Sequence, residues 1–184
     1  MKKWLLALGL TSVLVVAGCN GDSSEENTNG DTDNNTEETD ESKDNNEQNV
    51  KKDLLNAQME LKNTFKEYQS KIAGYQAEVS AEEPDAEAIK SAGEEAQSAA
   101  KEAAETAKGY TVETELPEEM KTQFEDSLTS LQSYYEEVAS ALEENAEEAD
   151  LSKAEEKFKK FNDQLGQLYE DAGLLAPDMM KELS

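Results

Sequence analysis

The sequence predicts an all-α fold, an antiparallel up-down-up-down four-helix bundle, standing behind a disordered acidic tether. From about residue 50 onward, apolar side chains recur at alternating spacings of three and four, which places them along one face of a helix. Proline and glycine interrupt that pattern at intervals of a helix plus a short turn. The composition, with only three prolines and nine glycines among abundant Ala, Glu, Lys and Leu, favours helix throughout.

Residues 1–18 open with Met1-Lys2-Lys3, continue through the apolar run WLLALGLTSVLVV and end in Ala17-Gly18. That is the layout of an export signal. The apolar run, roughly a dozen residues, is short of the ~20 that a spanning helix needs. Val16-Ala17-Gly18-Cys19 resembles the lipobox of bacterial lipoproteins: an aliphatic residue, a small residue, Gly or Ala, then Cys. The resemblance covers the first 19 residues. It implies cleavage between Gly18 and Cys19, a diacylglyceryl group on the Cys19 thiol, and a chain held by that lipid on the extracytoplasmic face of the cell membrane. Two acyl chains suffice for stable attachment, since each buried CH2 contributes ~0.8 kcal/mol. Cys19 is the single cysteine, so no intramolecular disulfide can form, and a lipidated thiol has no redox role.

Residues 19–49 form the expected linker. Positions 20–49 carry 11 acids against one lysine and no aliphatic or aromatic side chain. Nothing there offsets the entropy of ordering by apolar burial, so the segment is expected to be disordered. Thirty such residues span roughly 30 Å as a coil and at most about 100 Å extended, which would hold the folded part off the membrane. Asp31-Thr32-Asp33-Asn34-Asn35 resembles the opening of a calcium loop, but Thr36 and Ser42 stand where the loop requires Gly and Glu.

The helical domain is expected over residues 50–184. Its first stripe is Leu54, Leu61, Phe65, Tyr68, Ile72, Tyr75 and Val79, broken where Gln58 takes a stripe position beside Met59. The second, Ile89, Gly93, Ala96, Ala100, Ala103, Ala107 and Tyr110, keeps the spacing with small side chains. A face of that kind allows close helix approach; the alternative is a groove floored by alanine and open to a ligand or partner helix. The third is Met120, Phe124, Leu128, Leu131, Tyr135, Val138 and Leu142, and the fourth Leu151, Ala154, Phe158, Phe161, Leu165, Leu168 and Ala172. Pro84 and Pro117 fit first-turn positions, Ser152 to Glu155 reads as a capping box with Asp150 competing as N-cap, and Gly109, Gly173 and Pro177 are stop signals. Connections of roughly 4 to 8 residues favour antiparallel neighbours. A three-helix bundle with the alanine helix loosely attached, or a longer coiled coil that dimerises, are the rival architectures. The break at Gln58 and the aromatic load favour a monomeric bundle, with a dimer as the alternative.

Charge narrows the function. There are 17 lysines, no arginine, no histidine and 43 acids, for a net charge of −26. Phosphate binding needs clustered cations, so nucleic acid is excluded as a partner, and a basic patch for anionic lipid is equally absent from the composition. The lack of histidine removes the usual proton shuttle and the commonest transition-metal ligand, and with it the Glu-x-x-His pairs of di-iron bundles. No phosphate-cradling glycine loop or nucleophile elbow occurs. The carboxylate pairs Glu82-Glu83, Glu94-Glu95, Glu118-Glu119, Glu136-Glu137, Glu143-Glu144 and Glu147-Glu148 lie mostly off the stripes, as a solvated face would. No catalytic, cofactor-binding or metal residue is therefore assigned, and the chain is read as a non-enzyme without a cofactor.

What remains is a protein-interaction or structural module of the cell envelope, with binding of a small molecule or cation by the bundle interior or its carboxylates as the alternative. Tyr134, one residue off its stripe, and Met179 and Met180 in the C-terminal tail are the candidate contacts for an envelope partner. The tail apolar residues Leu174, Leu175, Met179, Met180 and Leu183 either cap the bundle end or form an apolar patch. Beyond the lipobox, the layout is similar to that of small helical lipoproteins of low-GC Gram-positive bacteria. It also fits a Gram-negative outer-membrane lipoprotein, and as a layout it transfers no site.

Overall fold

The apolar stripes become helices, and the faces they mark become the core. The computed structural model describes residues 38–184, with side chains from Asn45 onward. Five helices follow in order: α1 Glu38–Val79, α2 Ala86–Gly109, α3 Glu118–Glu144, α4 Ser152–Asp171 and α5 Met179–Leu183. No strand occurs among the described residues. The helices pack against one another, α1 on α2 and α5, α2 on α3, and α3 on α4.

The core follows the spacing closely. Leu54, Leu61, Phe65 and Ile72 of α1, Phe124, Leu131, Tyr135 and Val138 of α3, and Phe161 and Leu165 of α4 are fully buried. Ala96, Ala100 and Ala103 of α2 are equally buried, so the alanine face closes the core and leaves no groove there. The bulk that alanine omits comes from rings. Phe65 stacks on Tyr135 at 5.7 Å and 16°, Tyr135 meets Tyr134 at 4.8 Å, Tyr134 meets Phe158 edge-on at 5.0 Å, and Phe158 meets Phe161 at 5.5 Å. Spacings in this range are the favourable ones for aromatic pairs. Gly93 shows how close the approach is: a Cβ there would lie 3.0 Å from the Ala146 methyl.

The helix ends refine the signals read from sequence. Asp85, not Pro84, opens α2, its carboxylate accepting from the amides of Glu87 and Ala88 at 2.8 and 3.1 Å. Pro84 and Pro117 therefore precede their helices instead of occupying the first turn. At α4 neither candidate holds the cap position: Leu151 is the N-cap without a side-chain bond, the helix starts at Ser152 itself, and the Asp150 carboxylate one residue earlier accepts from the Ser152 amide at 3.0 Å. Hydrogen bonding from the Ser152 side chain first, and then from its amide, holds the Asp150 carboxyl below its ordinary value. Gly173 ends α4 at φ 70°, where the Gly173 amide donates to the Glu170 carbonyl and the Leu174 amide to the Tyr169 carbonyl. This pair of bonds is a Schellman motif, and it needs a residue free to adopt positive φ.

Two boundaries differ from expectation. Residues 38–49 of the linker expected to lack order are helical, forming the first turns of α1. Burial does not order positions 45–49, whose side chains are exposed. Propagation does: once the packed part beyond Val50 has nucleated the helix, each added residue gains a backbone hydrogen bond at small cost. Likewise the tail is not simply a cap on the bundle end. It forms α5, whose residues Met179 and Leu183 are fully buried against the core.

Because Ala100 is enclosed, Ala100→Leu is expected to cost about 1 to 3 kcal/mol by overpacking, whereas exposed Ser98→Leu should stay within about 0.5 kcal/mol. Urea unfolding followed by circular dichroism reads both.

Candidate functional site

Cys19 and Gly18, the residues of the expected lipidation and cleavage, lie outside the described residues, as does the segment resembling a calcium loop. The described residues can be tested only for the partner contacts and for chemistry on the helices.

Tyr134 is not a surface anchor. It is 3% exposed, because α3 buries a broader face than one heptad stripe, with Ser127, Ser130 and Tyr134 enclosed beside the predicted positions. The Tyr134 hydroxyl donates to Gln69 Oε1 at 3.0 Å, and the Gln69 amide donates to Met180 Sδ at 3.7 Å. Gln69 itself is 2% exposed, so this chain of contacts satisfies a buried amide that would otherwise be costly. A tyrosine committed to an internal bond has no face left for a partner.

Met179 is likewise enclosed, at 0% exposure, whereas Met180 is 37% exposed and remains on the surface. The two adjacent residues separate because α5 lies across the flank between α1 and α4. The Met179 amide donates to Asn162 of α4 at 2.8 Å, and Lys62 of α1 pairs with Glu182 at 3.2 Å. Asp178 caps the short helix by accepting from the Lys181 amide at 3.3 Å. Upstream, the Ala176 methyl lies 3.3 Å from where a Cβ on Gly166 would stand, so the connection also hugs α4.

The carboxylate pairs stand in solvent as their spacing indicates, Glu137 alone being half-buried. Among the described residues no group of three acids or cysteines is gathered as a metal site would require. No described helix is long and apolar enough to cross a membrane. The concave surfaces are open and mixed in polarity. One of about 590 Å³ runs between α1 and α2, with Tyr68, Lys71, Glu95 and Ser98 on its walls. There the Lys71 ammonium and Glu95 carboxylate pair at 2.9 Å, which holds Lys71 above its ordinary pKa, yet both side chains are at least half exposed and water screens them.

The strongest perturbations belong to tyrosines and come from burial. It pushes the Tyr134 hydroxyl up to about 12 against the opposing bond to Gln69, and the Tyr110 hydroxyl to about 12 with help from Glu60 and Glu113. Burial also raises Tyr135 and Tyr169 well above the ordinary value. The Tyr169 hydroxyl donates to the Leu54 carbonyl at 2.5 Å, while the Tyr135 hydroxyl has no hydrogen-bond partner among the described residues. Tyr134, Tyr135 and Tyr169 pack the core, whereas half-buried Tyr110 lines an open concave surface beside Glu60 and Glu113.

Comparison with protein-family models, with curated proteins and with solved structures finds no match to this chain. The reading of its function therefore rests on its own residues.

Two outcomes are expected. Tyr134 and Tyr110 are neutral below pH 10 in both states, and above it the unfolded chain ionises first while the native hydroxyls hold their protons to about 12. Stability should thus fall as pH rises from 10 to 12, and Tyr134→Phe should flatten that fall in urea midpoints measured across the range. Separately, Met179→Ala should cost about 2 to 4 kcal/mol and Met180→Ala less than about 1 kcal/mol, read by the same unfolding method.

Proposed function

We propose that this chain is a lipid-anchored extracytoplasmic lipoprotein whose helical domain acts as a non-enzymatic protein-interaction or structural module of the cell envelope. The observation that carries the reading is Val16-Ala17-Gly18-Cys19, placed directly after a basic start and an apolar run too short to span a bilayer. With the cysteine lipidated, the acidic stretch behind it serves as a spacer, and the helical domain is presented to whatever shares that surface.

We read the domain more finely as a monomeric, antiparallel up-down-up-down four-helix bundle with α5 laid along one flank. The pairing of residues supports this. On α1 and α2, Tyr75 lies beside Gly93, Lys71 pairs with Glu95, Tyr68 meets Thr106 and Phe65 meets Tyr110, so numbers fall on one helix as they rise on the next. The same reversal relates Ser130 to Gln164 and Tyr134 to Phe158 across α3 and α4.

A non-enzymatic role is supported by the residue types available. Histidine is absent, the single cysteine belongs to the lipobox, and the charged side chains of the described helices stand mostly in solvent.

The test is metabolic labelling of cells expressing the full chain with an alkyne-tagged fatty acid. The native chain should carry the label and sediment with membranes, and Cys19→Ala should lose the label completely and keep its signal segment. A native chain that is processed but unlabelled would sink the lipoprotein reading.

A further inference from the structure

The described residues expose few large apolar side chains, and they are not scattered. Five are exposed: Leu55 at 50%, Met59 at 55%, Val79 at 38%, Leu175 at 93% and Met180 at 37%. Val79 ends α1; the other four are divided between α1 and the C-terminal tail. The Lys51 ammonium comes within 3.4 Å of where a Cβ on Gly173 would stand, Lys62 pairs with Glu182, and Ala176 and Met179 meet Gly166 and Asn162, so the chain from Gly173 to α5 runs between α4 and the flank of α1 that contains these lysines. Leu55 and Met59 fall on α1 between those two anchors, Leu175 follows Gly173 on the tail, and Met180 sits further along at Gln69. Single exposed apolar residues need no explanation, but a row of them marks an interaction surface.

On α1 the charge of this edge is the reverse of the rest of the chain, while the tail side contributes Asp171, Asp178 and Glu182, the last paired with Lys62. At about 100° per residue, Lys51, Lys52, Leu55, Met59, Lys62 and Lys66 occupy an arc of about 100° on α1. From Gln48 to Ala77 no acid falls within that arc, whereas Asp53, Glu60, Glu67 and Glu78 cluster on the flank facing α2. Lys181 adds a further cation from the exposed side of α5. Among the described residues, Lys51, Lys52, Lys66 and Lys181 form no ion pair. In a chain of 43 acids and 17 lysines, this is a basic strip with an apolar seam.

We propose that the α1–α5 edge is a docking surface for an acidic amphipathic helix of another protein, and this rests on the interaction-module reading above. The strip from Lys51 to Lys66 is about 22 Å long, the length of four helical turns. Leu55 and Met59 are spaced i,i+4, so a helix laid alongside presents its own apolar side chains at i,i+3 and i,i+4 to them. Aspartate or glutamate on either side of that stripe meets the lysine rows and sets the register. A second copy of this chain fits poorly. Two-fold pairing of the edge sets lysine against lysine, and the chain's own acidic helices already bury their apolar faces in the core. A membrane surface fits poorly too, since the net charge of −26 repels anionic headgroups.

The test places a photo-crosslinking amino acid in the full chain in cells at Leu55, Met59 or Leu175, with exposed Glu125 on α3 and Lys90 on α2 as reference positions. Adducts are expected from the first three positions and not from the references, with the crosslinked segment an acidic amphipathic helix by mass spectrometry. That segment, synthesised as a peptide and titrated onto the full chain in detergent, should bind at least tenfold more weakly to Met59→Ser and to Lys51→Glu with Lys66→Glu, at unchanged helical content. Adducts confined to the reference positions would overturn this surface and leave the interaction reading standing. An adduct to a second copy, to lipid, or to a segment lacking acids would overturn the proposed partner. Silence from every position would overturn both the surface and the interaction reading.

Discussion

The alanine stripe of α2 is the constraint from which the remaining packing follows. A helix face of methyl groups can approach its neighbours closely, and Ala96, Ala100 and Ala103 are fully enclosed between α1 and α3. Close approach on that side removes the space that side chains of ordinary bulk would fill, and the core volume is made up elsewhere. The rings Phe65, Tyr135, Tyr134, Phe158 and Phe161 provide it, running in contact from α1 through α3 to α4. On the far side α1 and α4 approach less closely than the sequential neighbours do, and α5 seals that flank with Met179 and Leu183. One helix of small residues thus accounts for both the aromatic core and the place of the C-terminal segment.

Polar groups within this core set register. The bonds from Tyr134 to Gln69, from Ser130 to Gln164 and from Tyr169 to the Leu54 carbonyl each join two different helices at one height. Apolar contacts tolerate sliding by small amounts, but a buried amide or hydroxyl loses its partner when a helix shifts, at a cost of about 1 to 3 kcal/mol. The same bonds explain why Tyr134 is withdrawn from the surface. Its ring is needed between Tyr135 and Phe158, and its hydroxyl is needed by Gln69.

Much of this was legible in the residues before the structure. The four stripes mark the enclosed faces, and Gly173 marks a helix end that does require positive φ. Less legible were matters that depend on neighbours. Periodicity treats each helix alone, so it could not show that α3 buries a second column containing Ser127, Ser130 and Tyr134. Composition marks residues 38–49 as unable to order themselves, and does not register that a helix already nucleated downstream extends into them. The tail was ambiguous between cap and patch because Met179 and Met180 differ only in which way α5 turns them. A signal for the basic edge was present, since Leu55 and Met59 stand off the stripe at i,i+4 among Lys51, Lys62 and Lys66.

The sequence by itself determined the helical class, the enclosed face of each long helix, and the pattern at Cys19 on which the proposed anchoring depends. These are local properties: a 3.6-residue repeat and a four-residue box are written in consecutive positions and need no partner to be read. Only the tertiary structure decided that the alanine face closes instead of opening a groove, that Tyr134 turns inward, and that α5 covers one flank while leaving Leu55, Met59, Leu175 and Met180 exposed. Those outcomes depend on volumes and hydrogen-bond partners contributed by distant segments, as the bonds of Tyr169 to Leu54, 115 residues apart, and of Lys62 to Glu182, 120 apart, illustrate. Packing distributes such contacts across the whole chain, and no single stretch of sequence contains them.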